Sequence, residues 1–474
     1  MKYTIKYLIG GATEPRLSNL PPEMLLEILL NLSIREIYNT CKSQENICAN
    51  IDWRKIFEKK KIPEQALTIT DIEQFNSACY IDNSDTNNLI QKFYCMSFFK
   101  YMSKLKRTDE DIRTAGRLWF SDETEAITIY GHISDWDVSS VTNMNNMFQY
   151  AAAFNEDISS WDVSSVTNMR SMFDGATAFN GDISSWDVSA VTNMRDMFHG
   201  AAAFNGDISK WNVSAVTNMG GMFYEATAFN GDIRKWDVTA VTEMNWMFCR
   251  ATAFNRDISS WDVFTVTNMS FMFQDTAFNG DISEWNVSAV TNMSFMFKDA
   301  IAFNKDLRKW DVSSVTNMKG MFCGATAFDG NISVWDVSAV TDMSFMFNGA
   351  AAFNGDINTK EVTDNENTYT AWDVSAVTDM SFMFKGAIAF NRDLGKWVVS
   401  AVTNMTWMFH SAATFNGDVG SWVVSAVTDM GDMFNGATAF NRDISSWNMS
   451  NVTDMSGMFQ GANALEIIPT WYNP

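Results

Sequence analysis

Histidine is scarce in this chain. Three stand in 474 residues, His132, His199 and His410, and they read as unrelated positions with no nucleophile, metal or phosphate motif beside them. The usual carriers of general acid–base and metal chemistry are therefore lacking, and the chain reads as a non-enzyme with no cofactor and no metal. Cysteine is equally sparse. Cys41, Cys48, Cys79, Cys95, Cys249 and Cys323 fall at irregular spacings, which argues against a disulfide framework and fits reduced, mostly buried thiols. Basic charge is short as well: 34 Lys and Arg stand against 56 Asp and Glu, a formal net charge of -22. A nucleic-acid partner is excluded on that ground, because binding phosphates demands a basic face. The deficit is uneven: residues 1–130 hold 17 basic and 18 acidic side chains, residues 131–474 hold 17 and 38. No apolar run is long enough to span a bilayer, and the opening MKYTIKYLIGGA has too short an apolar stretch for a good secretory leader. A cytoplasmic protein is expected, with a cell-surface or secreted one as the alternative.

What fills the chain instead is one phrase, rewritten. Tryptophan stands at Trp136, Trp161, Trp186, Trp211, Trp236, Trp261, Trp285, Trp310, Trp335, Trp372, Trp397, Trp422 and Trp447, mostly 25 residues apart, with one interval of 24 and one of 37. A fixed period in this range is the mark of an array whose units bury their apolar faces against their neighbours. One unit reads Ile158-x-x-Trp161-x-Val163-x-x-Val166-x-x-Met169-x-x-Met172-Phe173, then Ala178-Phe179-Asn180. Trp161 and Val163 alternate about Asp162, as a very short strand with its carboxylate outward would place them. Met169, Met172 and Phe173 have the spacing of one helical turn, which Gly175 can end. The Asn that follows each Phe, replaced once by Asp329, is expected to point inward and bond the backbone of its turn and of the next coil.

The expected fold is thus an α+β repeat solenoid of about 25 residues per coil and 13 coils, preceded by a small all-α domain. Its divisions are a helical domain at 1–61, a helical connector at 62–107, an N-terminal cap at 108–135, the solenoid at 136–463 and a C-terminal cap at 464–474 closed by Pro469. Where Trp is due, INTKEVTDNENTYTAW places Lys360 and delays Trp372 by twelve residues. This insertion, 358–371, reads as a polar hairpin leaving the rod.

The order Ile-x-x-Trp-x-Val matches the L-x-x-L-x-L of leucine-rich repeats. The fuller wording WDVSSVTNM…MF..A.AFN.DIS resembles the BspA-like, Mycoplasma-lipoprotein type of leucine-rich repeat, found in bacterial surface proteins and in some large viruses and protists. The resemblance runs over residues 131–463. It implies a leucine-rich-repeat-like fold and a role in recognition or adhesion.

A different pattern precedes the repeats. In LSNLPPEMLLEILLNLSIREIYNTC, residues 17–41, Met24, Leu25, Ile28, Leu29 and Leu32 form one apolar stripe behind Pro21 and Pro22. Ser33 and Glu36 make a capping box for a second helix with Ile34, Ile37, Tyr38 and Cys41 on one side. Trp53, Ile56 and Phe57 mark a third. With Leu20, Pro21 and Trp53 in place, the segment resembles an F-box, although the usual Cys-Arg-x-Trp stretch is missing after Cys41. The resemblance implies docking of a Skp-type adaptor of a cullin ubiquitin ligase through Leu20, Pro21, Leu25, Ile28 and Leu29. The bland reading is a helical cap with no partner.

Two repeat columns are candidates for chemistry. Asp162, Asp187, Asp237 and Asp262 stack aligned carboxylates, whose repulsion either cations or local backbone bonds must offset. The residues between the two methionines should face outward, and there Trp246, Phe271, Phe295, Phe345, Phe382 and Trp407 gather in successive coils. They mark a contact surface for a protein partner, steered by the surrounding acidity toward a basic one. The bland reading lays each ring over a neighbouring coil's Met. The function read from the sequence is a non-enzymatic recognition scaffold, the substrate receptor of a cullin-type ubiquitin ligase, in host cytoplasm if the source is viral. The alternative is a BspA-like surface or adhesion protein mediating host or cell contact.

Overall fold

The computed structural model describes Leu26, Leu29, Ile37 and residues 51–60, 86–364 and 367–472. They divide into two compact units, Met1–Val141 with Ser160–Asp162, and Thr142–Ser159 with Val163–Pro474.

The described part of the first unit is helical. α1 (Trp53–Lys60) buries Trp53, Ile56 and Phe57, the one-sided pattern expected of it. α1 lies on α2 (Thr86–Leu105), where Trp53 meets Phe98 at 5.0 Å between ring centroids and Phe57 meets Tyr94 at 5.0 Å. α3 (Ile112–Ser121) buries Ile112, Ala115, Gly116 and Trp119, one stripe of a 3.6-residue period. Asp122 caps α4 (Glu123–Tyr130) by accepting a hydrogen bond from the Glu125 N–H at 2.9 Å. A 3₁₀ turn, Ile133–Asp135, then leads to Trp136, which stacks on Trp161 at 6.2 Å. Burial pushes the Asp135 carboxyl and the Tyr101 phenol above their ordinary values. Cys95 is disulfide-bonded, which corrects the expectation of reduced thiols at that position; Cys249 and Cys323 are free.

The second unit is built from the repeats. Asn143, Asn168, Asn193 and their counterparts every 25 residues form a column of twelve parallel bridges that runs to Asp454. After each bridge, alternate residues reach the following repeat, while the Thr before it donates back to the preceding one, as Thr167 N–H to the Thr142 carbonyl at 2.8 Å. The N–H groups of Met169, Ser171, Phe173 and Gly175 donate to the carbonyls of Asn193, Arg195, Met197 and His199 at 3.0, 2.8, 2.8 and 2.7 Å.

This geometry corrects two expectations. No strand forms at the Trp-x-Val step of the described repeats, and the bridge falls at the Asn five residues after Val163 instead. Nor is Met169–Phe173 a helical turn: Ser171 has φ 52° and Gly175 φ 70°. A helix would bond its N–H groups within the segment, whereas left-handed residues turn every second N–H toward the neighbouring repeat. Burial still alternates as read, with Trp186 3% and Val188 1% exposed and Asp187 outside.

Tryptophan suits its place because its indole N–H reaches a carbonyl of the preceding repeat and ties the two together. Trp186, Trp211 and Trp236 donate to the carbonyls of Ile158, Ile183 and Ile208 at 3.2, 3.1 and 3.1 Å. Two phenylalanines per repeat stack beside it, as Phe198 on Phe204 at 3.9 Å and on Phe223 at 5.7 Å. The asparagine row is exposed or half-buried rather than inward, yet its bonds hold: Asn155 and Asn180 accept from the N–H of Asn180 and Asn205 at 2.9 Å, and Asp329 does the same for Asn354.

The insertion is an antiparallel hairpin, β1 (Lys360–Asp364) and β2 (Asn367–Ala371). It does not leave the array as expected. The Tyr369 hydroxyl donates to the Val334 carbonyl at 2.7 Å, and Trp372 stacks on Trp335 at 6.5 Å, so the tryptophan column passes through the insertion unbroken. Val362, Thr363 and Tyr369 line a cleft of about 710 Å³ together with Trp310 and Val312. At the other end Trp471 stacks on Trp447 at 6.5 Å and donates to the Ile444 carbonyl at 3.3 Å. The segment expected as a cap therefore adds a further tryptophan to the column.

Candidate recognition surface

Each Met-x-x-Met-Phe corner holds one residue in the left-handed region between its methionines. Early repeats place Asn146, Ser171, Asp196 and Gly221 there, and the last two place Asp432 and Gly457, all with φ between 52° and 62°. Asn, Asp and Gly tolerate this conformation. In between, the same backbone carries Trp246 (φ 62°), Phe271 (60°), Phe295 (55°), Phe345 (62°), Phe382 (59°) and Trp407 (60°). A bulky side chain pays about 1–2 kcal/mol for that region.

The six rings form one half-buried ribbon. Trp246 stacks on Phe271 at 3.9 Å and 11°, and Phe271 on Phe295 at 4.9 Å and 22°. Phe345 stacks on Phe382 at 4.5 Å and 5°, and Phe382 on Trp407 at 5.8 Å and 14°. Rings lie on rings along this column. Gly320 (φ 57°) divides the two runs, and a Cβ there would meet the Phe295 ring at 2.3 Å. Because neighbouring faces cover one another, the ribbon shows ring edges to solvent.

Charge beside the ribbon is mixed, unlike the net acidity of the repeats. Lys319 Nζ lies 5.7 Å from the Phe345 ring centroid, and Lys385 Nζ lies 4.3 Å from that of Trp407. Arg250 reaches Glu225 at 2.8 Å and Asp275 at 3.6 Å. The expected acidic surround is thus interrupted by cations along this face.

A second column, just after each Met-Phe, was missed as a column. His199 and His410 were read as unrelated, yet both occupy it. The His199 ring stacks on Tyr224 at 4.6 Å, its Nδ1 is 2.9 Å from Asp174 Oδ1, and Gln149 donates to Asp174 Oδ2 at 2.8 Å. Tyr224 leads into the ribbon by meeting Trp246 at 5.5 Å. His410 lies on Trp407 at 4.1 Å; burial, then Lys385, lowers its pKa. Cys249 shares this column, with its thiol pushed up to about 12 by burial, and Cys323 up to about 11. Thiols so held against ionisation are poor nucleophiles.

The carboxylate column is locally bonded. Asp187 and Asp237 accept from the N–H groups of Ser189 and Thr239 at 3.0 and 3.1 Å, and Asp262 from Phe264 at 3.2 Å. Side-chain and backbone bonds from the same Ser and Thr hold Asp187 and Asp237 below the ordinary carboxylate range. Among the described residues no cluster of three His, Cys, Asp or Glu is placed to hold a metal, and no helix is long and apolar enough to cross a membrane. Of the residues assigned to adaptor docking, Leu29 is helical and buried, while Leu20, Pro21, Leu25 and Ile28 lie outside the described residues.

Residues 119–219, 205–300, 260–360 and 358–471 each match the family described as Mycoplasma protein of unknown function, DUF285. The chain belongs to this family. Its consecutive matches cover the array with the BspA-like repeat type that the wording resembled, each running through about four of the 25-residue units. No curated protein matches the chain.

Proposed function

We propose that this DUF285 protein is a non-enzymatic protein-recognition scaffold, a solenoid of leucine-rich-repeat-like coils that docks a protein along its aromatic ribbon. One observation carries the reading: six bulky rings occupy left-handed positions that the other repeats fill with Asn, Ser, Asp or Gly. A column that spends conformational energy on half-buried rings in one run of repeats, where small residues fold equally well, supports a contact surface. In the wider reading the first unit docks a Skp-type adaptor, which makes the whole chain a ubiquitin-ligase substrate receptor. The disulfide at Cys95 favours the second reading, a surface or secreted BspA-like protein, because such bonds persist in oxidising compartments.

The test is capture by the full chain. Purified Skp-type adaptor should be retained by wild type and lost on Leu25→Asp with Ile28→Asp, the repeats keeping their melting profile. Failure of the wild type to retain the adaptor at micromolar concentration removes the ligase reading and leaves the surface one.

A further inference from the structure

The rings of the ribbon come in an order with a centre. Reading along the left-handed column, the residues are Trp246, Phe271, Phe295, Gly320, Phe345, Phe382 and Trp407. The order is the same from either end, with Gly320 in the middle. Nothing in folding the repeats asks for this, since Asn, Ser, Asp and Gly fill the position elsewhere.

We infer that the ribbon's partner is a second copy of this chain, laid antiparallel with the two-fold axis crossing the column at Gly320. This rests on the ribbon being the docking surface. An isologous contact sets residue i against j and j against i. About this axis Trp246 faces Trp407 of the other copy, Phe271 faces Phe382, and Phe295 faces Phe345. The two glycines meet on the axis, where no side chain obstructs approach.

The flanking charges agree with this register. A chain of net charge -22 opposes its own copy unless the contacting strip avoids facing like with like. In the bridge column beside the rings, the same axis sets Glu243 against Asn404, Asn268 against Asp379, and Asn292 against Asp342. Each carboxylate of that column meets an amide that can donate to it. Lys319, beside the axis, lies 3.9 Å from Asp342 of the following repeat in the same chain, which counters its charge. Seven rungs at the usual strand spacing give a contact line about 29 Å long.

The bridge column also supplies a variant that spares the fold. Asn292 accepts from the Ser294 N–H at 3.0 Å, and Asp342 and Asp379 accept from Ser344 and Ser381 in the same way at 2.9 and 2.8 Å. Asn268→Asp with Asn292→Asp therefore keeps the local bond while setting carboxylate against carboxylate across the dimer. Sedimentation velocity on the full chain should show a concentration-dependent dimer, weakened roughly tenfold by the double substitution at unchanged melting temperature. Phe345→Asp should abolish it. A chain that stays monomeric at about 100 μM, well above the concentration range of a specific dimer, overturns self-docking. If Phe345→Asp still abolishes capture of another protein by that monomer, the ribbon remains the docking surface. A dimer indifferent to Phe345→Asp overturns both readings. One that responds to Phe345→Asp and ignores the double substitution overturns the antiparallel register.

Discussion

The tryptophan column and the aromatic ribbon use the same chemistry for opposite ends. Both are rows of stacked rings that advance one repeat at a time. Trp261 is 3% exposed, stacks on Trp236 and Trp285 at 6.5 and 6.4 Å, and donates its indole N–H to the Ile233 carbonyl at 3.1 Å. Trp246 stacks on Phe271 but is half-buried and sits on a backbone that disfavours it. The first ring is where the fold needs one, and the second is where the fold would accept almost anything small. Position in the repeat, rather than residue type, therefore separates structure from surface.

The largest effect expected from breaking this comparison is at Trp261. Its replacement by Ala removes a buried ring and one of the two hydrogen bonds to the Ile233 carbonyl, which still accepts from the Trp236 N–H at 3.1 Å, a cost of about 3–5 kcal/mol. Because each repeat is held by its neighbours, the loss should lower the unfolding midpoint of the array as a whole. Trp246→Ala should cost less than about 1.5 kcal/mol, the order of a stacked pair. Denaturant unfolding followed by circular dichroism checks both, and equal small losses would contradict the assignment of inner and outer faces.

How much of this was legible in the sequence follows from what leaves a periodic trace. The inward Trp and Val, the outward Asp, the hairpin at Lys360–Ala371 and the buried side of α1 each write a period of 2, 3.6 or 25 into the chain. The backbone of the Met-Phe corner leaves none. Glycine would signal positive φ, but at the ribbon position glycine appears only at Gly221, Gly320 and Gly457, so the corner was mistaken for a helical turn. His199 and His410 share a column eight repeats apart, a relation the sequence shows once the repeats are aligned on Met-Phe. Trp471 was lost because the phrase dissolves before it, leaving a 24-residue interval as its single clue.

A smaller effect is expected at the centre of the ribbon. Gly320→Ala forces an L-residue to φ 57° and sets its Cβ 2.3 Å from the Phe295 ring, which must swing aside. The backbone part costs about 1–2 kcal/mol. The ring can yield, so the total should stay near that figure. A much larger loss by denaturant unfolding would mean that Phe295 is locked in place and belongs with the core rings.

The smallest effect on stability is expected at Phe345, where two terms oppose. Phe345→Asn puts a residue that tolerates left-handed backbone in place of one that does not, recovering up to about 1–2 kcal/mol. It removes the stack on Phe382 at 4.5 Å and the approach of Lys319 at 5.7 Å, a loss of about 0.5–1.5 kcal/mol. The melt should therefore move by less than about 1 kcal/mol in either direction, while association through the ribbon falls sharply because an edge has gone from the middle of the strip. Unfolding and sedimentation measured on one preparation separate the two outcomes. Weak association with an unchanged melt marks a surface ring. A loss near 3 kcal/mol with unchanged association would return Phe345 to the class of Trp261 and move the search for the docking face to the Trp-x-Val side of the repeats.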